Sequence, residues 1–150
     1  MSLLLWARLW SPVAPVEAVC EAWRELDLSG DPEDRQAEFL AGFHHGTPLP
    51  VVPLLLHHTL GLSGDSTREE WMRVLAWLDL GFGHIRLPPD HLAIACEVLA
   101  VAAGRGERLI CEELAGRYLR PWTEIATERL DAAGSSLTEL PLRFAEELVW

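Results

Sequence analysis

The sequence predicts an all-α protein, a single domain over residues 1–150 built as a bundle of about seven or eight helices. Three observations predict this fold class. Apolar residues recur at helical spacing in most segments, and serine, aspartate or proline stands before several of them. No segment has the alternating pattern of a half-buried strand. With 150 residues, 49% of them hydrophobic, the chain has enough apolar side chains for one core.

The first two predicted helices are separated by a proline-rich segment. Ser2 is placed to cap a short apolar helix, and a second helix starts after Pro12 or Pro15. Gly30 is where this second helix is expected to end, because glycine is common just after a helix C-terminus.

The next elements are predicted from their start signals. Asp31 followed by Pro32 and further acids is typical of a helix N-terminus. Residues 44–53 contain three prolines and read as an extended connection, after which "LLLHHTLGL" is a short apolar segment. Ser66 with Glu69 three residues later has the spacing of a capping box, which predicts a helix from there.

The second half of the chain contains the remaining predicted helices. One covers about residues 89–103, and separate helices follow in "RGERLICEELAGRYL" and "PWTEIATERLDAAG". "SLTELPLRFAEELVW" predicts a last helix that is capped near Ser136.

Charge and cysteine content restrict the class of function. The net charge of −11 and a pI near 4.9 argue against nucleic acid and anionic membranes as partners. Three cysteines without a CxxC spacing indicate reduced thiols and a cytoplasmic protein. The amino terminus lacks the features of a signal peptide, and "PLPVVPLLL" is too short and too rich in proline to cross a bilayer.

Catalytic and metal-binding patterns are weak. Four of the six histidines form the adjacent pairs His44-His45 and His57-His58, and adjacent residues cannot form the i, i+4 clamp of helical metal sites. The chain has no GxSxG elbow, no phosphate-binding glycine loop and no lysine. We therefore predict neither an enzyme nor a protein with a metal or cofactor of its own.

The segment "LPPDHLAIACEVLA", residues 87–100, has more polar residues at its start than a helix requires. Pro89 suits a first helical turn, where Asp90 would gain about 0.3–1 kcal/mol from the helix dipole. Glu97 follows seven residues later, about 10 Å further along a helix. It stands beside a stripe of expected core residues, and a carboxylate among aliphatic side chains needs a donor from this chain or from a partner. The stripe consists of Leu92, Cys96, Leu99 and Ala103.

This segment resembles the Pro-Asp-His-Leu signature of the TorD/DmsD/NarJ chaperones, a family that assists the maturation of molybdenum-containing redox enzymes. The match includes the proline–Asp–His start, the glutamate seven residues after the aspartate and the leucine two residues beyond it. "LLLWARLWSP", "RQAEFLAGF", "VVPLLLHHTLG" and "AGRYLRPWTEIATERL" are similar to other regions of the family. The chain departs from the family where Arg86 and Leu87 replace an acid and where His57-His58 stand in the middle region.

The resemblance implies a TorD-like fold and a cytoplasmic chaperone that is not an enzyme. Its expected partner is a molybdopterin-containing catalytic subunit, whose N-terminal region, often a twin-arginine signal, it holds until cofactor insertion is complete. Either a monomer or a domain-swapped dimer is compatible with the resemblance. We expect Asp90 and Glu97 to bind charges or amides, and His91 to orient them as a donor. The complete set of residues expected to bind the client is Leu87, Pro88, Pro89, Asp90, His91, Glu97, Trp77 and Trp122.

Two other classes of protein remain open from the sequence. One is a helical adaptor that stays bound to a partner redox enzyme without reading a signal peptide. The other, less favoured, is a metal-dependent hydrolase that uses the histidines and Asp90.

Overall fold

Helices dominate the computed structural model, which describes residues 2–82 and 86–150. The described ranges contain nine α-helices and no strand. In chain order they are α1 (Leu3–Trp10), α2 (Val16–Glu25), α3 (Pro32–Phe43), α4 (Leu56–Leu60), α5 (Gly64–Trp77), α6 (Leu92–Gly104), α7 (Arg108–Leu114), α8 (Arg120–Ala132) and α9 (Glu139–Glu146). The prediction of an all-α bundle is confirmed.

Helix α7 and helix α8 are one continuous rod, where the sequence analysis predicted two helices. A π-helical segment, Ala115–Leu119, joins them. Pro121 has no backbone N–H to donate to the preceding turn, and the wider π turn accommodates this loss without a break. Counted as rods, the described ranges therefore hold eight helices, within the predicted number.

Side chains cap α3 and α5, the second at a changed position, whereas Ser2, predicted to cap α1, makes no side-chain cap bond. Asp31 caps α3 as predicted, because its carboxylate accepts a hydrogen bond from the Glu33 N–H at 3.0 Å. Helix α5 begins one turn earlier than the capping-box pattern indicated. Its N-cap is Ser63, whose hydroxyl accepts from the Ser66 N–H at 3.4 Å. Ser66 therefore lies inside the helix.

The core is built around α6 and an aromatic cluster. Helix α1 lies along α6, and Trp10 of α1 is in the middle of the cluster. The ring centroid of Trp10 is 5.5 Å from that of Trp6, 5.0 Å from Phe43 and 5.6 Å from Trp122. Such pairs add about 0.5–1.5 kcal/mol each beyond the burial of their area. These contacts fix α1 against the helices that follow it.

Helix α6 is apolar on nearly every side. The predicted stripe residues Leu92, Cys96 and Leu99 are fully buried, and so are most of the residues between them. Glu97 is the exposed residue in the first half of this helix. Across the described ranges, no helix has both the length and the apolar character needed to cross a bilayer.

Candidate binding site at the 87–100 motif

Asp90 is an internal residue. Its side chain is fully buried, and Oδ2 lies 2.5 Å from Nδ1 of His57. The same oxygen accepts the His57 backbone N–H at 3.2 Å, and Oδ1 is 3.6 Å from Nε of Arg68. Oδ1 has no hydrogen-bond partner among the described residues. Asp90 thus stabilises the start of α4, and its side chain does not reach the surface.

The helix start differs from the prediction because a neighbouring segment pairs with it. The Leu56 N–H donates to the Asp90 carbonyl at 3.0 Å, and the Leu92 N–H donates to the Leu54 carbonyl at 2.8 Å. These two bonds form an isolated antiparallel bridge between Leu55 and His91. Pro89 and Asp90 form a turn that is closed by the His91 N–H, which donates to the Pro88 carbonyl at 3.0 Å, and α6 begins three residues later than predicted. Asp90 does not lie in its first turn.

His91 is the N-cap of α6. Its Nδ1 accepts a hydrogen bond from the Ala93 N–H at 3.1 Å, so in the neutral ring the proton is on Nε2, the nitrogen that remains for the predicted donor role. Burial lowers the pKa of His91 to about 4, with a smaller effect from His44. The ring is consequently neutral near pH 7, as an acceptor nitrogen requires.

Glu97 lies in a cleft at the surface. The cleft has a volume of about 380 Å³, and we call it the Glu97 cleft. Neighbouring apolar groups withdraw water from the carboxylate and raise the pKa of Glu97, although its side chain is exposed. No hydrogen bond or ion pair of this carboxylate is found within residues 2–82 and 86–150. The residues that line the cleft are Ser11, Val13, Arg86, Leu87, Ala93, Ile94 and Glu97.

Of the predicted site residues, the structure brings Leu87 and Glu97 together. Both line the Glu97 cleft, and Leu87 is half-buried. Pro88 is also half-buried and connects Leu87 to Pro89, which is buried. Asp90 faces the opposite way, toward α4, so it does not form a surface strip with Glu97 as the helical spacing suggested.

The two tryptophans predicted as walls lie elsewhere. Trp122 is fully buried in the aromatic cluster and donates its Nε1–H to the Pro53 carbonyl at 3.2 Å. Trp77 is 71% exposed at the C-terminal end of α5 and does not line the Glu97 cleft. Trp122 is thus a core residue, and Trp77 belongs to a different surface.

Sequence reasoning missed the partners of Asp90. His57 and Arg68 are 33 and 22 residues before it in the chain, and no local spacing connects them with the motif. One indirect signal exists. A Cβ on Gly64 would lie 3.2 Å from the His57 ring, so the glycine at the start of α5 makes room for that imidazole.

The histidines do not form a metal centre in the described part of the chain. No group of three or more histidine, cysteine, aspartate or glutamate side chains lies close enough there to hold an ion. His84 is outside the described residues.

Comparison with known proteins does not indicate a family for this chain. Neither the profiles of protein families, nor the curated proteins, nor the solved structures give a match for the chain. The function therefore has to be inferred from the motif and from the Glu97 cleft.

Proposed function

We propose that this protein is a cytoplasmic chaperone with a TorD-like role. It binds the N-terminal, arginine-containing region of a molybdopterin oxidoreductase catalytic subunit and supports cofactor insertion before export or assembly. The proposal makes the chain a binding protein and not an enzyme. It combines the resemblance of residues 87–100 with the chemistry of the Glu97 cleft.

The observation that carries the proposal is the Glu97 carboxylate, which lies among apolar side chains without a partner in the described ranges. A guanidinium group next to an apolar side chain complements such a site, because it satisfies the carboxylate while the apolar parts exclude water. Arg86 borders the same cleft, but no ion pair joins it to Glu97. The net charge of −11 further favours a basic partner.

The other motif residues support this site indirectly. Asp90 and His91 fix the segment that precedes α6 through His57 and through the helix cap. Leu87 enters the cleft from that segment. We therefore assign client contact to Leu87 and Glu97, and a positioning role to Asp90 and His91.

Peptide binding tests the proposal. The probe is a synthetic peptide of about twenty residues with two adjacent arginines followed by a leucine-rich run, the composition of a basic segment before an apolar one. Binding is measured by calorimetry for the wild-type protein, Glu97→Gln and Glu128→Gln. Glu128 is a matched control because it is exposed on α8, away from the cleft.

We expect Glu97→Gln to bind at least about tenfold more weakly, equivalent to 1.4 kcal/mol, and Glu128→Gln to bind as the wild type does. Wild-type affinity should also fall as salt screens the charge pair. Equal binding by both variants would refute the role of Glu97. A protein that binds no such peptide, yet copurifies from its host with an intact redox enzyme, would be the adaptor described above.

A further inference from the structure

A second cavity adjoins the Glu97 cleft at the α1–α2 connection, where Ser11 borders both of them. The cavity lies between this connection, α2 and α3, and we call it the α2–α3 pocket. The apolar residues that form most of its wall include Val16, Val19, Cys20, Trp23, Phe39 and Leu40.

The α2–α3 pocket has the size of an apolar side chain. Its volume is about 230 Å³. An apolar protein cavity of roughly 150 Å³ is enough to hold benzene, so an aromatic ring or a branched aliphatic side chain fits. Val16, one of the lining residues, is 48% exposed, so the pocket is open to solvent on that side.

Two polar groups in the lining, His44 and the Trp23 indole, carry no charge near pH 7. Burial lowers the pKa of His44 to about 4, with a smaller effect from His45, so His44 is neutral. Trp23 is 2% exposed, and its Nε1–H has no hydrogen-bond partner among the described residues.

The charges around the pocket are mainly negative. Burial raises the pKa of Cys20, and the carboxylates of Glu33, Asp31 and Glu17 raise it further against the opposite effect of Arg24. Three acids therefore act on the pocket against this one arginine, which already pairs with Glu33 at 2.6 Å.

A second arginine does not reverse this balance. The Arg35 guanidinium stacks on the Trp23 ring at 5.5 Å from its centroid and is bound to the carbonyls of Ser29 and Ser136. An apolar side chain from a positively charged segment is therefore the guest that complements both the lining and its surroundings.

We propose that the α2–α3 pocket receives an apolar side chain of the client segment whose arginine binds in the Glu97 cleft. The segment would cross the α1–α2 connection near Ser11, with its cation on one side and its apolar side chain on the other. This inference rests on the proposed function, and it adds a second subsite that selects the residue next to the arginines.

The thiol of Cys20 provides a readout at the pocket itself. Cys20 is 6% exposed and lines the pocket, whereas Cys96 and Cys111 are completely buried. A small methanethiolsulfonate reagent at pH 8 should label Cys20 first, and labelling of the other two thiols reports loss of the native fold. At a peptide concentration about ten times Kd, occupancy should slow Cys20 labelling about tenfold.

A modified peptide and two protein variants give a second test of the pocket. Replacing the leucines of the probe peptide with serine should weaken binding and remove the protection of Cys20. Val19→Phe fills the pocket and should reduce affinity at least about tenfold. Leu142→Phe is the matched control, because Leu142 is 55% exposed in a groove formed with α8. Circular dichroism checks the fold of both variants. The labelling test uses the wild-type protein alone and therefore does not depend on whether the variants fold.

The outcomes separate the two proposals. Protection of Cys20 together with weaker binding by Val19→Phe supports the second subsite. A peptide that binds with unchanged Cys20 labelling overturns the pocket assignment and leaves the proposed function standing. Absence of any peptide binding overturns both.

Discussion

Replacing Asp90 with asparagine gives the sharpest separation between a structural and a binding role for the motif. The sequence-based expectation was a small effect, since an acid in a first turn contributes only about 0.3–1 kcal/mol. The structure changes this expectation. Asp90 is fully buried, and its carboxylate binds both the ring and the backbone N–H of His57.

The magnitude follows from these contacts. A hydrogen bond to a charged group contributes about 1.5–3 kcal/mol, and the Asp90 carboxylate makes two of them to His57. Asparagine keeps the volume and one acceptor oxygen, and Arg68 contributes little because it is 3.6 Å away and 41% exposed. We therefore expect Asp90→Asn to lower the free energy of unfolding by about 2–4 kcal/mol, which for a chain of this length corresponds to roughly 5–15 °C in Tm.

Urea and thermal unfolding followed by circular dichroism measure this change. Asp65→Asn is the control, because Asp65 is exposed in the first turn of α5 and should lose at most about 1 kcal/mol. A cycle with His57→Gln and the double variant should give a coupling energy of about 1–3 kcal/mol. If Asp90→Asn were as stable as the control and still lost peptide binding, Asp90 would act on the client and our assignment of its role would be wrong.

Three further predictions test the fold around the site. The folded-state pKa of His91 is lowered to about 4, so the contribution of its neutral ring to stability is complete above pH 6.5 and is lost, by about 3 kcal/mol in total, as the pH falls toward 4. His91→Asn can still cap α6 and should flatten this part of a plot of Tm against pH, and an unchanged plot would contradict the assignment. Trp122→Ala should cost about 3–5 kcal/mol and Trp77→Ala at most about 0.5 kcal/mol in urea unfolding, because one ring is fully buried and the other is 71% exposed. Asp31→Ala should lower stability by about 1 kcal/mol and Asp31→Asn by much less, since asparagine accepts the same cap bond from Glu33; equal losses would argue against the cap.

Most of the fold could be predicted from local patterns. The spacing of apolar residues determines which faces are buried, and Asp31 with Pro32 determines where α3 begins. The start of α6 was harder to predict. It depends on pairing with Leu54–Leu56, a segment more than thirty residues away, which keeps Asp90 in a turn before the helix although a Pro-Asp pair suits a first helical turn.

The candidate site could be predicted only in part, for the same reason. Glu97 was singled out because a helical period puts it beside a core stripe, and this reasoning depends on one helix alone. The roles of Asp90 and Trp122 depend on His57 and Pro53, which come from distant parts of the chain. The spacing of residues within the motif gives no information on these long-range contacts.

The bridge between Leu55 and His91 also ties together two points of the chain that lie before and after α5, through the hydrogen bonds of Leu56 and Leu92. Helix α5 remains part of the core, because Trp71 and Leu75 are buried and the Trp71 ring lies 5.4 Å from that of Tyr118. The entropic cost of closing a loop grows only slowly with its length, about 0.6 kcal/mol per doubling. The connections on either side of α5 can therefore change in length at little entropic cost, provided that the bridge and the buried face of α5 are kept. In hydrogen exchange, α5 should then open as a unit at a lower free energy than α6.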